Sequence, residues 1–278
     1  MSSVQVREPD LLVQDKTIDF PLEISSRFAA DDNSLVSVFG VRIANLDEVS
    51  AIRSLEQIID DFDGHARAVY FVNAHTLNFA ARQPEFRDVL NRAACVFGDG
   101  TGVRWAARCR GVRMKANLNG TDLVPRLFHD TAGRGLRYYL LGAAADMVAR
   151  AAAKAEELFP GWTLAGYHHG YIDKHRCPDV IEQINAAEPH LLLVCMGNPL
   201  QEQWIDRHLG SLRVPICMGT GALIDRWAGN LPRAPRWIRR LGHEWAHVLL
   251  QQPHKWRRYL LGNPLFLWRM LAWRGRDR

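Results

Sequence analysis

The stretch Val96-Phe97-Gly98-Asp99-Gly100-Thr101-Gly102 combines the end of an apolar run with three glycines in five positions and one acid between two of them. A helical pattern of apolar residues follows at once, at Val103, Ala106 and Ala107. This order is typical of a strand, a tight glycine turn and the start of a helix. It predicts that Asp99 stands at the C-terminal end of a strand, where open α/β sheets bind their ligands.

The carboxyl group of Asp99 has two interpretations at this position. An aspartate beside a helix start commonly caps the helix by accepting hydrogen bonds from its first N–H groups. The same side chain at a binding crevice can take a proton in a reaction. The spacing alone favours the cap, so the functional interpretation depends on what the rest of the chain places beside it.

Strands and helices alternate along the second half of the chain. Residues 136–142 and 162–167 have the apolar patterns of strands, and an alanine-rich helix is predicted between them over residues 143–159. The continuous apolar runs at 191–196 and 215–218 are typical of strands buried in a parallel sheet. The repetition predicts an α/β fold, with a Rossmann-like core whose sheet is largely parallel and whose crossovers are right-handed.

The first half carries similar elements less regularly. Residues 35–43 alternate like a single strand, and residues 68–72 form a short apolar strand. Residues 1–33 are polar without a strong period and are predicted to be an N-terminal arm. The predicted organisation is therefore an arm over residues 1–33, an α/β core over 34–232 and a helical C-terminal appendage over 233–278.

The C-terminal appendage is basic and aromatic, whereas the rest of the chain is mildly acidic. Residues 233–278 hold 11 Lys and Arg against 2 Asp and Glu, a net charge of +9, and five of the nine tryptophans. The remainder of the chain holds 24 Lys and Arg against 28 Asp and Glu, a net charge of −4. Helix-length stretches with Arg and Lys clusters beside Trp and Leu faces are typical of helices that lie on anionic lipid. Membrane docking is favoured here over an ordinary packed helix or a nucleic-acid patch, and no nucleic-acid partner is expected.

Length and composition place the chain among globular proteins. It has 278 residues, of which 47% are hydrophobic and 23% charged. No stretch has the pattern of a signal peptide or of a spanning helix. The five cysteines lack CxxC spacing, which indicates buried free thiols in a reducing compartment and no zinc site. These features predict a cytoplasmic protein.

Polar and small residues follow several predicted strands. Asn73 comes directly after residues 68–72, where it is about equally suited to cap a helix or to bind a ligand. Asn198 and Gln201 follow a later strand, and Gly219-Thr220-Gly221 follows the next one. Small residues at such places let backbone N–H groups approach a phosphate. Because neither GxGxxG nor GxxxxGK[ST] occurs, a nicotinamide-dependent enzyme and a P-loop protein are disfavoured.

His168 and His169 form an adjacent pair. Adjacent side chains on a strand point to opposite faces, and no nearby Asp, Glu or Cys set completes a metal site, so no metal is predicted. A hydrogen bond from His168 to a sugar or nucleotide is the functional interpretation, and a structural histidine is the alternative.

Eight motifs together resemble one known family. They are FVNAHTLN (71–78), FGDGTGVRWA (97–106), NGTDL (119–123), YYLLGAAADM (138–147), GYHHGYI (166–172), VCMGNPLQEQWI (194–205), MGTGALIDRWAGNLPRAP (218–235) and GHEW (242–245). In this order they resemble the WecG/TagA/CpsF glycosyltransferase family, over most of the chain from residue 38 to residue 271.

The resemblance implies an inverting enzyme that moves a sugar from a UDP-sugar to a saccharide on undecaprenyl diphosphate, as a peripheral protein of the cytoplasmic surface of the inner membrane. It implies no bound metal and no cofactor, a C-terminal appendage that touches the membrane, and a homo-oligomer in some members. UDP-glucose is the expected donor, for exopolysaccharide or cell-envelope glycan, with UDP-N-acetylmannosamine or its uronate as the alternative. A catalytically inactive membrane-associated binding protein is the remaining alternative.

The resemblance also assigns roles to individual residues. Asp99 becomes the catalytic base, and Asn73 and Gln201 fall on polar active-site positions of the family. The further candidates for substrate binding are Thr101, Asn117, Asp122, His168, Asn198, Lys255 and Arg258. Positive side chains of the appendage, such as the last two, would stabilise the negative charge on the leaving UDP and close over the site as a lid.

Two positions depart from the family pattern. Family members commonly have arginine at the position of Asn117 and at that of Val248, three residues after the Glu-Trp pair. If those arginines bind the donor diphosphate, other groups must do so in this chain. Arg113 and Lys115 are the candidates to replace the first of them.

Overall fold

An eight-stranded sheet forms the centre of the molecule in a computed structural model that describes residues 34–231, 249–251, 256 and 260–273. The order across the sheet is β1-β2-β4-β3-β8-β7-β5-β6; β1 and β2 pair antiparallel, and the other neighbours pair parallel. The strands are β1 (Leu35–Val38), β2 (Val41–Ala44), β3 (Arg67–Val72), β4 (Cys95–Gly98), β5 (Arg137–Gly142), β6 (Thr163–His168), β7 (Leu191–Cys195) and β8 (Ile216–Gly219).

Helices cover both faces of the sheet. Those within the described ranges are α1 (Glu48–Asp60), α2 (Ala74–Ala80), α3 (Pro84–Arg92), α4 (Thr101–Cys109), α5 (Gly120–Asp130), α6 (Ala145–Leu158), α7 (Pro178–Ala186), α8 (Leu200–His208), α9 (Leu223–Trp227) and α10 (Gly262–Trp273). Successive residues of β3 alternate between the two cores. Tyr70 belongs to the core that includes residues of α2, α3, α4, α7, α8 and α10, and Phe71 belongs to the core that includes residues of α1, α5, α6 and α9. The predicted α/β class with a largely parallel sheet is confirmed.

The prediction of one strand over residues 35–43 was wrong, because the chain turns back at Phe39 and Gly40. Both residues have positive φ, 53° and 80°, as a two-residue hairpin turn requires. The side chain of Asn91 holds the turn by donating to the carbonyl of Gly40 and accepting from the N–H of Arg42. The buried positions change phase across the turn, from Val36 and Val38 to Val41 and Ile43, so the alternation is not that of one continuous strand.

Helix α10 packs directly onto the core. The side chain of Asn78 on α2 donates to the carbonyl of Gly262 at 2.8 Å, and Arg269 donates back to Oδ1 of Asn78 at 2.8 Å. Phe266 is buried, with its ring centroid 5.5 Å from that of Phe39. The end of the predicted appendage therefore forms part of the same folded unit as the sheet.

Other expectations concern the remainder of the chain. The predicted N-terminal arm and much of the predicted appendage lie outside the described residues. Within the described ranges, no helix is both long and apolar enough to cross a bilayer. The five cysteines are free thiols, as expected, and the three on strands, Cys95, Cys195 and Cys217, are buried.

Candidate active site

A cavity of about 840 Å³ lies over the carboxyl ends of the five central strands. Each of these strands contributes a residue to its lining: Asp99 follows β4, Asn73 follows β3, Thr220 follows β8, Asn198 follows β7 and Ala143 follows β5. Parallel strands bring their carboxyl ends to one edge of a sheet, which is why residues so distant in sequence meet here. The polar residues that follow separate strands in the sequence therefore line one cavity.

Asn73 and Asp99 occupy corresponding positions on neighbouring strands. Val72 and Gly98 are partners in the β3–β4 register, and the N–H of Asp99 donates to the carbonyl of Val72 at 2.8 Å. The next residue of each strand therefore opens into the cavity beside the other. This pairing places Asp99 and Asn73, both half-buried, side by side on the cavity wall.

Asn73 caps a helix, as one interpretation predicted, and it also lines the cavity. Its Oδ1 accepts from the N–H groups of His75 and Thr76, at 3.0 and 3.2 Å, and so caps helix α2. Its Nδ2 makes no hydrogen bond within the described part of the chain, while the side chain lines the cavity. The cap thus fixes the amide with a donor available to a ligand.

Asp99 is not the cap of helix α4, so the interpretation favoured by spacing alone was wrong. The N-cap is Gly100, at φ 90°, and it carries no side-chain capping bond. This backbone conformation suits glycine, because a Cβ would be strained there. The turn ends the strand so sharply that the carboxyl of Asp99 lies on the cavity wall before the helix begins.

Asn117 is tied to the same turn. Its Oδ1 accepts a hydrogen bond from the N–H of Gly100, and its side chain also lines the cavity. Neither Arg113 nor Lys115, the candidates to replace a family arginine, is among the residues that line the cavity, and both are exposed. Within the described residues this position therefore supports the turn with an amide and brings no positive charge.

Gln201 is held from two sides at the start of helix α8. Its Oε1 accepts from the N–H of Gly221 at 3.0 Å, and its Nε2 donates to Oε1 of Glu202 at 2.8 Å. A Cβ on Gly219 would lie 3.0 Å from Nε2 of Gln201, so the glycine lets the amide cross the end of β8. Asn198 also donates to Oε1 of Glu202.

Four predicted binding residues do not belong to the described cavity wall. Asp122 lies in the first turn of α5. Its carboxyl accepts a hydrogen bond at 2.8 Å from Nδ2 of Asn119, the N-cap residue of that helix. His168 ends β6 at the edge of the sheet, and its Nδ1 lies 2.9 Å from the carbonyl of His169. Neither is among the residues that line the cavity, and their binding roles stay predictions. Lys255 and Arg258, like Val248, lie outside the described residues.

The cavity also contains positive and aromatic side chains that sequence reasoning missed. Arg226 on α9 and Arg104 on α4 supply positive charge, and Nη2 of Arg104 lies 3.4 Å from the hydroxyl of Thr101, a predicted binding residue. Trp105 and Tyr171 line the cavity while remaining largely exposed. Both arginines stand inside motifs quoted for the family resemblance, so their positions in those motifs were the available clue.

Helix α10 forms another part of the wall through Asn263, Phe266 and Leu267. Gly102 allows this close approach: a Cβ there would lie 3.1 Å from Cβ of Ala74 and 3.4 Å from the ring of Phe266. The C-terminal helix is therefore built into the crevice. No group of three or more His, Cys, Asp or Glu in the described ranges is arranged to hold a metal ion.

Comparison with known proteins agrees with this architecture. The model of the glycosyl transferase WecG/TagA/CpsF family matches residues 36–278. Three similar proteins are named N-acetylglucosaminyldiphosphoundecaprenol N-acetyl-β-D-mannosaminyltransferase. That of Bacillus spizizenii is 31% identical over 196 residues, covering 70% of this chain and 76% of its own. That of Bacillus subtilis is 30% identical over 189 residues, with 68% and 73% covered, and that of Staphylococcus aureus strain MW2 is 26% identical over 237 residues, with 84% and 91% covered. Because the family model matches most of this chain, the chain belongs to the WecG/TagA/CpsF family and is a glycosyltransferase.

Proposed function

We propose that this enzyme transfers N-acetylmannosamine from UDP-N-acetylmannosamine to N-acetylglucosamine on undecaprenyl diphosphate, with inversion at the anomeric carbon. The names of the three relatives support this sugar and this acceptor. They favour it over the UDP-glucose donor and the exopolysaccharide product expected from the sequence. The observation that carries the proposal is the placement of Asp99 beside Asn73 in a cavity that also holds two arginines.

Asp99 acts as the general base in this proposal. Its carboxylate takes the proton of the acceptor hydroxyl as the hydroxyl oxygen attacks the anomeric carbon and the bond to the UDP oxygen breaks. A positioned base of this kind contributes about 10²- to 10⁴-fold to a rate. The N–H of Asp99 is bonded to β3 and the next N–H is bonded to Asn117, so the carboxylate stands on a fixed backbone.

Positive groups must stabilise the diphosphate that leaves. Arg226 and Arg104 are the charged candidates on the described walls. The N-terminal turn of α6 also lines the cavity, at Ala144 and Met147, and carries no side-chain cap. Backbone N–H groups at a helix start attract phosphate. Lys255 and Arg258 remain proposed contributors from the appendage.

The appendage docks the enzyme on the cytoplasmic surface of the inner membrane in this proposal. Helix α10 buries Phe266 and Met270 against the core, and it exposes 66% of Trp268 and 63% of Leu271. Leu260 and Leu261, just before the helix, are exposed as well. Apolar side chains next to a segment of high positive charge suit an anionic lipid surface. A homo-oligomer that covers the same side chains is the competing use of this face.

A donor comparison tests the function. The purified full-length protein would be given undecaprenyl-diphosphate N-acetylglucosamine as acceptor, with UDP-N-acetylmannosamine, UDP-glucose or UDP-N-acetylglucosamine as donor. Mass spectrometry would measure the masses of the products. We expect transfer from UDP-N-acetylmannosamine alone. Preferential transfer of glucose would refute the proposed donor. Folded protein that transfers no sugar would favour the catalytically inactive binding protein.

A further inference from the structure

A fully buried carboxyl lies behind the part of the cavity wall that carries Asn198 and Gln201. Glu202 has no exposed surface. Its Oε1 accepts from Nε2 of Gln201 at 2.8 Å and from Nδ2 of Asn198. Its Oε2 has no hydrogen-bond partner in the part of the chain that the structure describes. Burial of such a group is unfavourable unless other interactions compensate for it, so its position calls for a functional explanation.

The carboxyl determines how the two amides are turned. A carboxyl oxygen without a proton can only accept, so each amide must direct its nitrogen towards Oε1. For Gln201 this orientation agrees with the second bond, in which its Oε1 accepts from Gly221 at 3.0 Å. For Asn198 it leaves Oδ1 directed away from Glu202 while the side chain lines the cavity. The wall therefore presents an acceptor at Asn198.

We propose that Glu202 is a positioning residue for the transfer reaction: it orients Asn198 so that the amide oxygen accepts a hydrogen bond from the substrate. This inference rests on the proposed function. The matching substrate group is a donor, such as a sugar hydroxyl, and not a phosphate oxygen. Glu202 itself does not touch the substrate, because the two amides lie between it and the cavity.

The surroundings of Glu202 fit a neutral acid that keeps its accepting oxygen. Desolvation raises the pKa of its carboxyl to about 7, although the bonds from Gln201 and Asn198 act in the opposite direction. The hydroxyl of Tyr70 donates to the backbone carbonyl of Glu202, and Arg92 of the facing helix is paired with Asp206. With the proton on Oε2, Oε1 still accepts from both amides, so the orientation of Asn198 is the same in the neutral and the ionised forms of Glu202.

Two substitutions separate positioning from general structural support. Glu202→Gln keeps an accepting oxygen, whereas Glu202→Leu removes it and keeps much of the volume. We expect kcat/KM for transfer from UDP-N-acetylmannosamine to change less than about threefold in the glutamine variant and to fall about 10- to 100-fold in the leucine variant, mainly through a higher donor KM. Gln203→Leu, at an exposed position of the same helix, is the control. All variants are assayed well below their unfolding temperatures.

A folded Glu202→Leu variant with wild-type kinetics would overturn the proposal, and so would equal losses in the leucine and glutamine variants. If the leucine variant does not fold, Asn198→Asp replaces it, because this change sets a second acceptor against Oε1. Asn263→Asp puts the same charge on the cavity wall away from Glu202 and is its control. A loss in Asn198→Asp no larger than in Asn263→Asp would overturn the proposal. Wild-type protein that transfers nothing would instead refute the proposed function, and this inference with it.

Discussion

The backbone N–H of Gly100 donates a hydrogen bond to Oδ1 of Asn117, and this bond joins two segments of the cavity wall directly behind Asp99. Family resemblance predicts arginine at this position, where a charged side chain would reach the donor. The asparagine instead holds the glycine turn that carries the proposed base. The departure from the family pattern therefore has a structural consequence at the proposed base.

Replacing Asn117 should weaken catalysis without unfolding the protein. Asn117→Ala removes the acceptor for the Gly100 N–H, and a lost hydrogen bond of this kind is worth about 0.5–1.5 kcal/mol, or roughly two- to twelvefold in kcat/KM. The side chain is exposed, so its loss leaves no cavity in the core. Steady-state transfer kinetics measure the effect. Lys115→Ala, two residues away and outside the cavity lining, should match the wild type; equal effects of the two changes would contradict the assigned role.

Arg226 should contribute to binding of the donor diphosphate. Arg226→Met keeps the length of the side chain and removes its charge, and hydrogen bonds to charged groups are worth about 1.5–3 kcal/mol. We therefore expect the Kd for UDP, measured by calorimetry, to rise about tenfold or more. Arg207→Met, on an exposed site of α8 that does not line the cavity, is the control. Unchanged UDP affinity in the Arg226 variant would exclude this role.

The exposed face of α10 should carry membrane affinity. The double change Trp268→Ser and Leu271→Ser removes two large apolar side chains that the core does not cover. We expect co-flotation with vesicles of anionic phospholipid to fall several-fold, because interfacial binding grows with the apolar area inserted. Val49→Ser, also at an exposed apolar position but on α1, serves as the control. Retained flotation together with a changed molar mass would assign this face to self-association.

Glu202 should make stability depend on pH. Its carboxyl has a pKa of about 7 in the folded state, against 4.5 for an ordinary glutamate. Between pH 4.5 and pH 7, the folded protein therefore keeps a proton that the unfolded chain has released. The free energy of unfolding should therefore fall as pH rises from about 4.5 to 7, by up to about 3 kcal/mol, and then level off. The contribution is fully present below pH 4.5.

Urea unfolding of the wild type and of Glu202→Gln at pH 5 and pH 8 measures this contribution. The other ionisable groups near the helix, such as Tyr70, Arg92 and Asp206, are common to both proteins and cancel in the comparison. The wild type should lose stability relative to the glutamine variant as pH rises. Parallel pH dependence in the two proteins would show that Glu202 titrates normally.

Much of the fold could be predicted from the sequence because the spacing of apolar residues indicates the strands and helices. The runs ending at Cys195 and Gly219 are apolar throughout, as strands covered on both faces must be, and they became neighbouring parallel strands. The hairpin at Phe39 and Gly40 was missed because its trace in the apolar pattern is a change of phase between Val38 and Val41, which a β-bulge within one strand also produces. Helix boundaries moved by a few residues where caps, and not apolar spacing, end the helix.

The site could be predicted where its residues directly follow strands. Asn73 and Asp99 do so, Asn198 comes three residues after β7, and the sheet edge brings the three together. Sequence reasoning missed Glu202 because a glutamate in the first turn of a helix ordinarily lies in solvent and interacts with the helix dipole. Its burial arises from packing of α8 against β3, β7 and β8. Arg226 was missed for a related reason: only the packed position of α9 turns it to the cavity.

The most direct test of the account is the rate of N-acetylmannosamine transfer by Asp99→Asn. The amide keeps the shape of the side chain and cannot take the acceptor proton, so kcat should fall about 10²- to 10⁴-fold, with UDP affinity and unfolding temperature close to those of the wild type. Asp146→Asn, an exposed carboxyl on α6 that does not line the cavity, should leave kcat unchanged. A folded Asp99→Asn enzyme with kcat within about threefold of the wild type would contradict the central claim.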